Sequence, residues 1–307
     1  MKHTRLTKYR RQLFAAVGMV FAFALLPCSR LAASGSKVEA AHEVLFVKNP
    51  LMLNDTMPAP VVYWEEVRAS PRPLRLHFML VDLAYPKIEA AVAVSDDPDG
   101  GGPAVATLRH PIEFAKEKNF FAAVNANAFM HLLDATEEEK KRGWYIGKHV
   151  RLFGLAVDDG VLRNNHDDRR RPIWFDGSGL ARVGKPEEEA SPSQAVADWE
   201  GPILVDGGVV EDGKVNKHPR TIAGTDAKGE RLLLVVAEGR KEGYSEGLTL
   251  KECGELMLER GCTEAVNFDG GGSSVMLVTT NGVMSAVGSP QGRYLRPLPV
   301  MIGIRGL

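Results

Sequence analysis

Cysteine is scarce in this sequence, with Cys28, Cys253 and Cys262 the only three in 307 residues. Cys253 sits inside "TLKECGELMLERG", which reads as a helix over about 248–260, and Cys262 follows directly after it. At 1.5 Å per residue the pair is separated by about 13 Å, beyond a disulfide's reach of roughly 7 Å. Two buried free thiols without a redox role are expected. Histidine is missing after His218. That counts against the nucleophile elbow suggested by "GYSEG" (Gly243 to Gly247), because the elbow fold places its histidine after the serine and the acid. Ser245 also lies several residues beyond the end of its strand, on a loop. No lysine follows the triplet Gly270–Gly272, and a strand rather than a helix comes next, so a nucleotide phosphate loop is excluded.

Acidic residues are absent from residues 1–33, which hold six of the 38 basic residues. A basic start (Lys2, Arg5, Lys8, Arg10, Arg11) precedes an apolar run from Leu13 to Pro27 that is too short to span a bilayer comfortably. Small residues at Ala32, Ala33 and Ser34 then supply a cleavage site. This is the pattern of a secretory signal over 1–33, with a leader segment over 34–60 and one domain over 61–307. The mature chain would carry 32 basic residues against 39 acidic ones. An acidic, secreted or periplasmic protein is a poor partner for nucleic acid or an anionic membrane surface, so neither is expected once the signal is removed.

A fixed internal period is also lacking, as is any linker between 60 and 307, so a solenoid or a multidomain chain is not indicated. What is present is a series of short β-type runs: "VVYWEEV", "RLHFMLVDL", "KIEAAVAVS", "FFAAVNANAF" and "LPVMIGIRGL". Asp159-Gly160, Gly207-Gly208 and Lys228-Gly229 interrupt further β-prone stretches as hairpin turns. "HPIEFAKEKN" reads as a helix, and 134–149 as a charged, helical insertion. The expected fold is α/β of the α+β type: a single domain with a mixed, largely antiparallel sheet and a few packed helices. "SDDPDGGGP" has the first positions of a calcium loop but Ala106 in place of the bidentate glutamate, so it reads as a solvated turn.

The unusual stretch is "EAVNFDGGGSSVMLV", 264–278. Three consecutive glycines carry a large conformational entropy penalty. They read either as a hairpin turn or as a nest of backbone amides suited to an anion, with Asp269 at its rim and Ser273 and Ser274 as hydroxyl donors. Other polar residues gather where β-runs begin or end: His218 and Arg220 in "HPRTIAG", Glu238, Arg240 and Ser245 in "AEGRKEGYSEG", and Asn125 and Asn127 in "NANAF". Together they form the constellation expected of an active site.

These segments, with "GLAVDDGVL", "GPILVDGGVV" and the closing "RPLPVMIGI", resemble the phosphodiester glycosidase family over most of 120–305. "NANAF" departs from the family's more usual Asn-Gly-Gly, and Glu238 stands where an aspartate is common. The resemblance implies an exported hydrolase that breaks the bond between a sugar's anomeric carbon and a phosphodiester, on a cell-envelope or extracellular glycan. On that basis the catalytic set would be Asp269 as base or nucleophile, Glu238 as second carboxylate and Arg220 on the phosphate. Gly270, Gly271, Gly272 and Ser273 would help to hold the anion. Asn125, Asn127, His218, Arg240, Ser245 and Ser274 would complete substrate binding. No cofactor is required by these residues, although a divalent cation bridging carboxylate and phosphate has room in the scheme. A binding module that holds an anionic polysaccharide without cleaving it is the alternative.

Overall fold

A computed structural model describes residues 49–50, 60–187, 189–288 and 294–307. The signal sequence expected over 1–33 and nearly all of the leader lie outside the described residues. Among those described, every strand pairing is antiparallel, and the helices are three short ones, Pro111–Glu117, Glu137–Lys141 and Leu250–Glu259, beside one 3-10 turn at Gly271–Ser273. The fold is therefore predominantly β. The expected α/β class overstates the helices, because the charged 134–149 insertion yields one exposed turn and a half closed by a Thr136–Glu139 capping box.

The main sheet has eight strands in the order Asn49–Pro50, Val61–Arg68, Leu74–Asp82, Arg231–Ala237, Arg220–Thr225, Glu264–Asn267, Pro202–Val205 and Gly208–Val209. "RLLLVVA" is apolar at almost every position because both faces of this sheet are covered. Leu232, Leu234 and Val236 join Met79, Val81, Val124 and Ile302 in one core, against a second sheet. Leu233, Val235 and Ala237 join Leu250, Cys253, Leu256 and Met257 in the other, under the helix Leu250–Glu259. That helix starts at a Thr249–Glu252 capping box, and Cys253 and Cys262 are free and buried, as their spacing implies. The second sheet runs Val283–Val287, Met276–Thr280, Ala122–Asn125, Val300–Gly306, Ile88–Val94, and a third five-stranded sheet includes Ala156–Asp158 and Gln194–Ala197.

Tight turns fix the hairpins. Asp159-Gly160, Asp206-Gly207 and Asn281-Gly282 all take positive φ at both residues, as two-residue hairpin turns require. Register then aligns one rim of the main sheet: Arg220 pairs with Ala237, and Ile222 with Asn267. Residues just before 220, just after 237 and just after 267 consequently meet at the same edge.

Candidate active site

Asp269 leaves the main sheet at that edge and is gripped by its main chain. Its amide donates to the Ala126 carbonyl at 3.0 Å, and Asn125 Nδ2 donates to its carbonyl at 2.6 Å. Asn125 is itself locked, since its Oδ1 accepts from Thr221 Oγ1 at 2.7 Å and from the Val275 amide at 3.1 Å. With its amide turned to the scaffold, Asn125 positions Asp269. The Asp269 carboxyl is closely packed, and burial raises its pKa to about 6, against the lowering effects of the Ser273 hydroxyl, Arg296 and the Gly270 amide.

The glycine run beside it is a clearance. A Cβ on Gly270 would stand 2.8 Å from the Pro219 carbonyl oxygen. One on Gly271, whose φ is +61°, would stand 3.0 Å from the Arg240 guanidinium, and one on Gly272 would overlap the guanidinium of Arg296. The amides do not form the anion nest read from the sequence. That of Gly271 donates across to the Pro219 carbonyl, and those of Ser273 and Ser274 donate to the carbonyls of Gly270 and Gly271, closing a single 3-10 turn. Positive charge at this turn comes instead from two side chains that only glycine admits so close.

Arg220 is not one of them. Strand alternation sends Ile222 into the helix-side core and Ala223 into the other, so Arg220 faces the helix side. Its stem passes the turn, with Cδ 3.9 Å from the Gly270 Cβ position, but its guanidinium serves the Leu248 carbonyl, the Asn216 carbonyl and Glu200 at 3.2–3.4 Å. The phosphate role assigned to Arg220 gives way to a scaffold role. Arg240, exposed and at φ +58°, approaches the turn with its Nε 3.3 Å from His218 Nδ1. Burial and the nearby Arg240 and Arg220 charges lower the His218 pKa, favouring a neutral ring whose Nδ1 accepts from Arg240. Arg296 lies 3.3 Å from Ser273 Oγ. Its burial and the Arg240 charge oppose its ionisation while Asp269 supports it.

The sequence marks the segment containing Arg296 without giving that residue a role; its one local signal is an arginine directly before "PLP" and the terminal strand. Asn127, 2% exposed, donates to the Phe153 and Leu155 carbonyls at 2.9 and 3.0 Å, so it ties loops together and does not reach a sugar. Ser245 is fully buried; its Oγ donates to the Glu238 carbonyl at 2.7 Å and accepts from the Arg75 amide at 3.0 Å. It too is structural. Ser274 Oγ is buried and without a hydrogen-bond partner among the described residues. Glu238, 4% exposed, receives His77 Nε2 at 3.0 Å on Oε1, while its Oε2 is out of solvent contact and accepts no hydrogen bond among the described residues. So sealed a carboxylate is not placed to activate water. No group of three or more His, Cys, Asp or Glu side chains gathers as a cation site among the described residues.

The geometry is thus a half-buried acid whose carboxyl holds its proton more tightly than usual, set on a glycine turn between two guanidinium groups. A family model for phosphodiester glycosidase matches residues 119–305, which contain all of these groups. The chain is 18% identical to the zebrafish N-acetylglucosamine-1-phosphodiester alpha-N-acetylglucosaminidase catalytic domain, with a TM-score of 0.57 over 86% of this chain and 88% of that one. A hypothetical protein from Synechocystis shares the fold at a TM-score of 0.56 and 12% identity, over 80% of this chain and 62% of that one. A prophage-derived uncharacterized protein of Bacillus subtilis is 27% identical over 188 residues, 53% of this chain and 25% of that protein, so the match spans a quarter of that relative's length. The chain belongs to the phosphodiester glycosidase family.

Proposed function

We propose that the protein hydrolyses the bond between the anomeric carbon of a sugar and a phosphodiester, acting after export on an envelope or extracellular glycan. The observation that carries this reading is Asp269, with a pKa near 6, facing Arg296 on a turn that also admits Arg240. Two guanidinium groups brought together repel each other, and a phosphate between them removes that repulsion. Export is supported by the basic and apolar start of the sequence. Among the described residues no helix is long and apolar enough to cross a membrane.

In this scheme the phosphate lies against Arg240, Arg296 and Ser273. As the C1–O bond breaks, its electron pair leaves with the phosphate monoester; Arg296 stabilises the charge that develops there, while Arg240 binds the phosphate to the same extent before and during the reaction. A phosphate is a good leaving group, so protonation by a general acid matters less than in ordinary glycosidases. Asp269 meets the anomeric centre. It either takes a proton from the attacking water or forms the ester that water later cleaves, and the anomer released distinguishes the two.

Incubation with a panel of sugar-1-phosphodiesters, followed by ³¹P NMR, tests the reading. Conversion of diester to monoester with release of reducing sugar supports it. Retention of the diester without conversion would make the protein a binder, and neither binding nor conversion would remove the reading altogether. Chelation in the same assay reports whether a divalent cation takes part.

A further inference from the structure

Glu238 poses a problem that catalysis does not solve: why keep a carboxylate sealed under a loop? Leaving one of its oxygens without a hydrogen bond is unfavourable. Among the described residues, its hydrogen-bond and ion-pair partners lie on a neighbouring strand and on the loop that follows it. From the strand side, His77 Nε2 meets Oε1 at 3.0 Å and Tyr63 Oη meets His77 Nδ1 at 3.0 Å. From the loop side, Tyr244 Oη lies 3.5 Å from Oε1, Lys241 Nζ lies 3.9 Å from Oε2, and Ser245 Oγ donates to the Glu238 carbonyl at 2.7 Å. Arg75 covers the Tyr244 ring at 4.5 Å. The charge of Glu238 therefore draws in both ends of the turn 241–245, which a Lys241–Ser245 bridge closes.

Arg240 sits at the start of this turn in the left-handed region, at φ +58°, which a side-chain-bearing residue adopts only when its surroundings hold it there. A third segment seals the arrangement. A Cβ on Gly288, at φ +77°, would stand 2.6 Å from His77 Nε2 and 2.9 Å from Glu238 Oε1, so the backbone lies directly on that contact.

We infer that Tyr63, His77 and Glu238 form a buried pedestal that positions Arg240 for phosphate binding, with Glu238 acting through the 241–245 turn rather than on the sugar. Tyr63 donates its hydroxyl proton to His77 Nδ1, His77 donates Nε2–H to Glu238, and the carboxylate holds Lys241 and Tyr244. Burial and the carboxylates of Glu65 and Glu238 hold the Tyr63 phenol in its protonated form, consistent with that direction of donation. The assignment of Arg240 to phosphate rests on the proposed function; the pedestal itself does not.

A double-mutant cycle tests it. With a sugar-1-phosphodiester as substrate, R240A, E238Q and H77L should each raise KM about 10-fold or more, with kcat within about 3-fold, because they remove the same contact to the charged group. E238Q combined with R240A should be no worse than R240A alone, since the two act as a unit. Y63F should show a smaller rise in the same direction, and it covers the case in which H77L does not fold. If E238Q instead left KM unchanged and slowed kcat by about 100-fold or more, the inference would be overturned, as it would by additive effects of E238Q and R240A. If the wild type cleaves no diester, the cycle is run by titrating inorganic phosphate. Weakened, non-additive binding in E238Q and R240A then upholds the pedestal although the glycosidase reading has failed. Additive effects, or no phosphate binding by the wild type, overturn it.

Discussion

Replacing Asp269 by asparagine should stabilise the protein while abolishing turnover. The carboxyl stands at about 6 in the fold against an ordinary 3.8, with burial the leading cause. A gap of about 2 units corresponds to about 3 kcal/mol. The side chain keeps some contact with water, so about 1–3 kcal/mol is the working range. The folded form holds the proton more tightly than the unfolded chain. Ionisation therefore leaves stability intact below about pH 4, erodes it as pH rises through 6, and carries its full penalty above that. The asparagine of D269N can still accept from the Gly270 amide and Ser273 but carries no charge to desolvate. In urea melts at pH 7.5, D269N should exceed the wild type by about 1–3 kcal/mol, or about 2–4 °C per kcal/mol in thermal melts of a domain this size, and the gap should shrink towards pH 4. Asp198, also raised to about 6 by burial, contributes the same slope to both proteins and cancels in the comparison. A gap that does not change with pH, or a D269N protein less stable than the wild type at pH 7.5, would refute the reasoning.

Wild-type kcat/KM on a sugar-1-phosphodiester should fall as pH drops below about 6, as Asp269 takes its proton, and a profile flat from pH 5 to 7.5 would contradict the base or nucleophile role. R296A should lower kcat/KM by about 10- to 1,000-fold, since it removes a charged partner of the leaving phosphate. R220M should instead lose about 1–3 kcal/mol of stability, chiefly by leaving the buried Leu248 carbonyl without its donor, visible in melts, with KM of the folded fraction within about 3-fold of wild type. Cys253 and Cys262, whose thiols burial pushes up to about 12, should react with a thiol reagent only after denaturant is added.

Local chemistry made some hairpins legible: Asp159-Gly160 turns as read, whereas the turn read at Gly207-Gly208 falls one residue earlier, at Asp206-Gly207, because an aspartate takes a positive φ readily before a glycine. Sheet order was not: Ala122–Asn125 lies between Met276–Thr280 and Val300–Gly306, partners more than 150 positions away that no local pattern points to. At the site, the sequence marked Asp269 and the glycines but suggested an amide nest, since nothing near 270 shows that arginines from 240 and 296 occupy the space. Arg220 misled because being next to a strand start says where a residue is but not which face it takes; alternation from Ile222 sets that. Asn125 and Asn127 look equivalent in "NANAF", yet one grips Asp269 and the other ties distant loops.

The absent side chains at 271 and 272 and the guanidinium groups of Arg240 and Arg296 fill one volume between them. Neither half has a purpose alone: a methyl group at position 272 evicts the arginine, and without the arginine the glycine is only a source of slack. In relatives of this chain, the two should therefore vanish as a pair.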